Sequence, residues 1–324
     1  MKKKSIMILG LAVSIFFFST GIAPCADPDY PRKPITFVIW ADPGSGFDIW
    51  GRTLCTIAEK YFKQPIVYVS KTGGNTNEAM GYLLNQPADG YTISAWSNSL
   101  AGFINMPGYV AKPEDFDPLM ITTKQPYMLV VGKESPFKTL KEFLTFAKLN
   151  PGKLSVGGSR VGSVHHQNTY AMAKEAGVNL TYVPYRGTGA VLKDIMGGHI
   201  SGGILSPGTA LSQLQSGLAR SLVVFDSNRV SLLPDVPSMK DLGFKFMGIP
   251  IEHGIQLKKG VPTEIKAKML DVYRKVLKDP EFISFVAKIY QGEIYYLGPE
   301  ELTRHFIEDI KETRAYLVDL KILK

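Results

Sequence analysis

The 324 residues carry 37 Lys+Arg against 29 Asp+Glu, a formal net charge of +8, and only two cysteines, Cys25 and Cys55. The basic residues are scattered, with no run of five or more, which argues against a nucleic-acid-binding arm.

Three lysines, Lys2 to Lys4, precede an apolar run from Ile6 to about Ala23, and the polar stretch "PCADPDY" follows. That order predicts a secretory signal peptide over residues 1–26, with small residues at Ala23, Cys25 and Ala26 near the cleavage point. An uncleaved anchor is the alternative, because roughly 20 apolar residues can span a bilayer. Pro24 sits where lipid attachment at Cys25 would want a small residue, so a lipoprotein is disfavoured. Without the leader, Lys+Arg falls from 37 to 34 against 29 acidic residues, leaving a charge of about +5. A mildly positive surface helps an anionic small molecule approach. Only Cys55 then remains, so no intrachain disulfide forms. Export with a lone thiol suits a bacterial periplasm, and the apolar helical setting of Cys55 reads as core. The remaining chain of about 298 residues is enough for two domains. No later apolar run approaches membrane-spanning length.

Strand-like and helix-like segments then alternate. "ITFVIW" (35–40) reads as a buried strand. A loop holding Pro43, Gly44, Ser45 and Gly46 leads into an amphipathic helix whose Trp50, Leu54, Ile57, Ala58 and Tyr61 recur at helical spacing. "IVYVS", helix "NEAMGYLLNQ" and strand "YTISAW" complete a first set. A second runs through "YMLVVG", helix "TLKEFLTFAKL", strand "LSVGG", helix "VHHQNTYAMAKEAG", strand "LTYVPY", helix "GAVLKDIMGG", and strands "ISGGIL" and "SLVVF". Two strongly periodic helices, "TEIKAKMLDVYRKVLKD" and "PEELTRHFIEDIKETRAYLVDLK", close the chain with no strand expected between them. The alternation predicts an α/β fold with largely parallel sheets, arranged as two lobes around a cleft. The last helices return to the first lobe. Crossings at 123–127 and 247–254 divide the chain into lobe 1 (27–125 plus 251–324) and lobe 2 (126–250).

The motifs of common enzymes are missing: no Gly-x-Ser-x-Gly, no GxxxxGK[ST], no HExxH and no CxxC. No catalytic residue, metal or cofactor is expected. Of the five histidines, the adjacent His165 and His166 cannot both face one metal from a helix, since neighbours point about 100° apart. One of them orients the loop or a ligand, while the other packs or faces solvent.

Three glycine loops at strand-to-helix junctions suit an anion, because backbone N–H groups at a helix start favour negative charge. "ADPGSGFD" (41–48) directs N–H groups from Gly44, Ser45, Gly46 and Phe47 inward, with Asp48 as cap or brace. "GGSRVGSVHH" (157–166) repeats the device with Ser159, Gly162 and Ser163, and "YRGTGA" (185–190) is the third. Phe47 within the anion loop, with Trp40 and Trp96, is expected on the cleft wall. Arg160 is the only cation in the second loop. It either grips a second ligand carboxylate or lies on the surface, solvated or paired with an acid.

These loops, with "YPRKPI", "PADGYT", "GSVHH", "VPYRGTG", "GGH" and "LLPDVPSMKDLGF", run in order along the chain from Tyr30 to the last helix. In these pieces the sequence resembles the extracytoplasmic solute-binding receptors of tripartite tricarboxylate transporters, the Bug family. The resemblance implies a two-lobed periplasmic-binding-protein fold, type II-like. It also implies a monomer that closes on a small organic acid and presents it to membrane transporter subunits. Carried over residue by residue, the ligand-binding positions are Gly44, Ser45, Gly46, Asp48, Ser159, Gly162, Ser163 and His166, joined by Thr188 and Gly189; Phe47 and Arg160 are added from position alone. The first loop departs from the family pattern in reading Trp40 to Phe47 as "WADPGSGF", and the second carries Arg160 where glycine is usual, so no named substrate is carried across. The competing readings are a receptor that reports its solute to a signalling protein, and an enzyme using His166 with Ser163.

Overall fold

The computed structural model describes residues 29–324. The predicted export segment, with Cys25, lies outside the described residues.

The chain first builds β1 (Ile35–Ile39), α1 (Gly46–Phe62), β2 (Ile66–Ser70), α2 (Asn77–Leu84), β3 (Thr92–Ser97), α3 (Ser99–Ile104) and β4 (Phe116–Gln125). It continues as β5 (Tyr127–Gly132), α4 (Leu140–Leu149), β6 (Ser155–Ser159), α5 (Val164–Ala176), β7 (Thr181–Tyr185), α6 (Thr188–Met196), β8 (Gly202–Leu205), α7 (Pro207–Gln215) and β9 (Ala219–Phe225). It ends with β10 (Ile251–Lys258), α8 (Thr263–Val276), α9 (Pro280–Phe285), β11 (Glu293–Leu297) and α10 (Pro299–Asp319).

The local rules are visible in the helices. Ser45 caps α1 by accepting from the Asp48 N–H, and Lys63 ends it in the left-handed conformation. Thr139 and Glu142 form a capping box on α4. The stripe of Trp50, Leu54, Ile57 and Ala58 buries α1 against its sheet, and Cys55 lies buried within the same stripe.

Two sheets result. The first has the order β11-β4-β10-β3-β1-β2, the second β7-β6-β8-β5-β9. They are mixed rather than largely parallel. β1 pairs parallel with β2 and β3, while β10 runs antiparallel to β3 and β4; β6 pairs parallel with β7 and β8, while β5 is antiparallel to β8 and β9. The cause is the crossing itself. The chain leaves the first sheet on β4 and re-enters it on β10, so two adjacent strands run in opposite senses. A strand also stands between the closing helices, contrary to expectation: β11 pairs with the outer side of β4. Its five residues lie at the sheet edge and none is fully buried, so it lacks the apolar run that marks an inner strand.

Helix α10 returns to pack on α3 and β4. On that face the His305 Nε2 lies 2.7 Å from a Glu252 carboxylate oxygen of β10 and 3.6 Å from an Asp309 oxygen. The Glu252 hydrogen bond raises the His305 pKa to about 9, aided by the charges of Glu252, Asp309 and Glu308 against the pull of burial. Burial pushes Asp309 up to about 7, with Glu252, Glu312 and Glu308 adding to it and His305 opposing. Both groups hold a proton more tightly in the folded chain than in the unfolded one. Their stabilisation is therefore complete at low pH. It fades first as Asp309 ionises above its ordinary 3.8 and then as His305 discharges between 6.5 and about 9. The melting temperature is expected to fall between about pH 6.5 and pH 9.5, and His305→Gln is expected to flatten that fall. Parallel melting curves for the two proteins across this range would show that the cluster does not govern it.

Candidate functional site

Five strand-to-helix junctions converge where the two sheets face each other. They follow β1, β3, β6, β7 and β8, and each contributes residues to one cleft with a cavity of about 70 Å³. These are carboxyl ends of the parallel strands, the usual position of ligands in such sheets.

In the first loop Ser45, Gly46 and Phe47 line the cleft. Gly44 and Asp48 stand behind them. The Asp48 carboxylate accepts from the Gly44 N–H at 3.0 Å, from Arg52 Nε at 3.0 and 3.1 Å, and from the Tyr68 hydroxyl at 2.8 Å. Burial opposes its ionisation, but these donors outweigh burial and hold the carboxyl below the ordinary carboxylate range. Asp48 thus braces the loop from outside the cleft. Phe47 stacks on His253 at 4.3 Å and meets Trp40 edge-on at 5.3 Å. Trp40 also lines the cleft; Trp96 does not, because it is fully buried against Phe306 of α10.

In the second loop Ser159 and Arg160 reach the cleft, and Gly162, Ser163 and His166 do not. Gly162 lies against Gly102 of α3, where any Cβ on Gly102 would run into the Gly162 carbonyl. The Ser163 hydroxyl donates to the Ser159 carbonyl at 3.1 Å. His166 accepts from the Gly162 N–H at 3.3 Å and stacks on Tyr182 at 4.1 Å, so it holds the loop from behind. Its neighbour His165 faces the cleft instead, with its ring 4.3 Å from Tyr127. Burial lowers both, to about 4 for His166 and about 3 for His165. The angular offset of adjacent helical residues separates them, but it does not say in advance which one faces the cleft.

Arg160 takes neither expected partner exclusively. Its guanidinium is largely buried, lines the cleft, and donates to the Thr72 carbonyl on the opposite side at 3.0 Å. Burial lowers its pKa, the Asp42 charge opposes that, and Arg186 adds to it. In the third loop Arg186, Gly187 and Thr188 line the cleft while Gly189 does not. A Cβ at Gly187 would strike the Asp42 carboxylate, so glycine permits that close approach across the cleft.

Several lining residues escaped the sequence reading. Ser206 begins α7 with its hydroxyl 3.0 Å from that of Thr209; the Ser-Pro pair at that helix start was the available signal. Ser97 and Ser99 come from the β3–α3 junction, and Gln125, Tyr127, Ile251 and His253 from the strands at the crossings. Burial, with a smaller effect of His165, lowers His253 to about 3, and its Nδ1 lies 2.7 Å from the Tyr290 hydroxyl. The starts of α1, α6 and α7 and two guanidinium groups share this cleft, an arrangement that favours an anion.

Known proteins resemble this chain in sequence and in fold. The family TctC, described as the tripartite tricarboxylate transporter family receptor, matches residues 51–321. A Cupriavidus necator protein called "UPF0065 protein in gbd 5'region" is 27% identical over 300 residues, covering 91% of this chain and 90% of its own. A solved structure titled "Structure of a periplasmic transporter" superposes with a TM-score of 0.82 at 28% identity, covering 89% of this chain and 97% of that one. The R. palustris protein Rpa4515, solved with adipate, has a TM-score of 0.83 at 23% identity, with 89% and 97% covered.

The Asp48 brace is open to test. Asp48→Asn keeps the shape but weakens hydrogen bonds from four donor contacts, so urea unfolding is expected to show a loss of about 1–3 kcal/mol. The contribution of the native carboxylate is present above its ordinary range and disappears as the pH falls through its lowered folded value. An unchanged unfolding midpoint at neutral pH would show that the loop does not depend on Asp48.

Proposed function

The chain belongs to the tripartite tricarboxylate transporter receptor family, and on that premise we propose that it captures a small organic acid in the cleft and delivers it to the membrane subunits of such a transporter. The observation that carries the reading is the convergence of the α1, α6 and α7 starts with Arg160 and Arg186 on one cavity. Ser45, Gly46, Phe47, Ser159, Arg160 and Thr188 are the contacts. Gly44, Asp48, Gly162, Ser163, His166 and Gly189 shape the loops that carry them. Adipate in the R. palustris relative supports an organic acid as the ligand class.

The two halves, 27–125 with 251–324 and 126–250, act as bodies that close on the ligand about the crossings at β4–β5 and before β10. The protein works in the periplasm as a monomer after loss of residues 1–26. The matched family is one of transporter receptors, which supports a receptor rather than an enzyme.

A thermal-shift screen of aliphatic and aromatic mono- and dicarboxylates tests the reading. Ligand at about 100 times its dissociation constant is expected to add ~2.7 kcal/mol to the folded state. A response to sugars or cations and to no carboxylate would overturn it. Within the screen's hits, Arg160→Ala is expected to weaken binding by about 10- to 150-fold, the loss of a desolvated charge-assisted hydrogen bond of roughly 1.5–3 kcal/mol. Equal calorimetric affinities before and after the change would remove Arg160 from the site.

A further inference from the structure

Another part of the same lining is uncharged. Gln125 ends β4, Tyr127 opens β5, and His165 comes from the first turn of α5. Gln125 is 2% exposed and His165 6%, yet among the described residues the Gln125 amide oxygen and both ring nitrogens of His165 have no hydrogen-bond partner. Buried polar side chains are normally paired, and an orphan costs the full loss of its hydration. Two such side chains on one cleft point to a group that arrives with the ligand.

The required chemistry follows from the donors and acceptors. Burial keeps His165 neutral, so one ring nitrogen donates and the other accepts, and the Gln125 oxygen accepts. A carboxylate at neutral pH only accepts, and it would set its charge against two acceptors. An ammonium only donates, and it would add a positive charge to a lining that already holds Arg160 and Arg186. A hydroxyl does both, giving its one hydrogen to the Gln125 oxygen and accepting from the His165 N–H. We propose that Gln125 and His165 read a hydroxyl on the ligand, and that the acid captured is a hydroxycarboxylate. This assignment rests on the carboxylate reading above and deepens it. The helix starts and arginines take the acid group, and the neutral pair distinguishes the body that carries it.

Matched sets separate the possibilities by calorimetry on the whole protein: propionate, lactate and alanine; succinate, malate and aspartate; benzoate and 4-hydroxybenzoate. In at least one set the hydroxy acid is expected to bind at least about tenfold more tightly than its deoxy parent, ~1.4 kcal/mol. His165→Phe and Gln125→Met are each expected to bring that ratio to within about threefold by weakening the hydroxy acid more than its deoxy parent. If either variant fails to fold, as read by circular dichroism, the other and the wild-type series decide. Deoxy parents that equal or exceed their hydroxy partners in every set overturn the hydroxyl assignment and leave the carboxylate reading standing. Amino acids binding most tightly overturn it in favour of an ammonium facing Asp42. A hydroxyl preference unchanged in both variants removes Gln125 and His165 as its readers. Failure of every acid to bind removes the carboxylate reading, and this proposal with it.

Discussion

The antiparallel pairing of β4 with β10 is the constraint from which the rest of the molecule is laid out. These two strands carry the chain out of the first sheet and back into it, with Ile251 opposite Gln125 and Lys258 opposite Phe116. Because β4 ends at Gln125 and β5 begins at Tyr127, a single residue, Pro126, separates the two sheets at the first crossing. Proline fixes φ and has no N–H to give a ladder, so the break between strands is sharp. The two sheets consequently follow one another with no intervening loop, and the junctions after their parallel strands line one cleft.

That placement explains a division of labour within each loop. Residues on the cleft side of a helix start line the cleft, and residues one turn further hold the loop in shape. Asp48 and His166 are both of the second kind. Each receives the N–H of a glycine four residues earlier, Gly44 and Gly162 respectively. Tying that glycine to the helix fixes the bend of the loop, so the intervening backbone is presented at a set angle. Preorganisation of this sort lowers the cost of ordering on binding.

How much of this was legible depended on where polar residues lay. The β1–α1 unit was readable because an unbroken apolar strand, a glycine loop and a periodic helix succeed one another. β10 was not, because its buried positions include Glu252, His253 and Gln256, which break the apolar pattern although the strand is central. Each of those side chains finds a local partner: Glu252 with His305, His253 with Tyr290, and the Gln256 amide with the Met80 sulfur at 3.4 Å. Such pairing is tertiary and leaves no trace in a single strand's periodicity. The same limit separates His165 from His166. Helical geometry requires them to face different surroundings, but only the packing of α5 on its sheet decides which one faces the cleft.

The apolar cores bear on motion. The large buried cluster of the first sheet draws on residues between Tyr30 and Ile121 and between Ile255 and Phe306, while the two clusters of the second sheet lie between Tyr127 and Ile251. Ile251, the first residue of β10 at the second crossing, is the first-sheet residue that joins a second-sheet cluster. Away from the crossings the halves are joined by the Tyr316 ring of α10, set edge-on to His166 and Tyr170 of α5, and by polar contacts: Arg160 to the Thr72 carbonyl, the Val164 N–H to Ser99, and Lys174 with Tyr170 to Asp319. Contacts of this kind exchange readily with water, each contributing about 1 kcal/mol net, and partly exposed ion pairs contribute less. With most of each core kept within its own half, parting the halves along this seam would expose little apolar surface, and relative motion is the default for such an interface. A ligand bound at both faces of the cleft adds its own contacts to the seam, and a few kilocalories per mole is enough to shift the balance between open and closed.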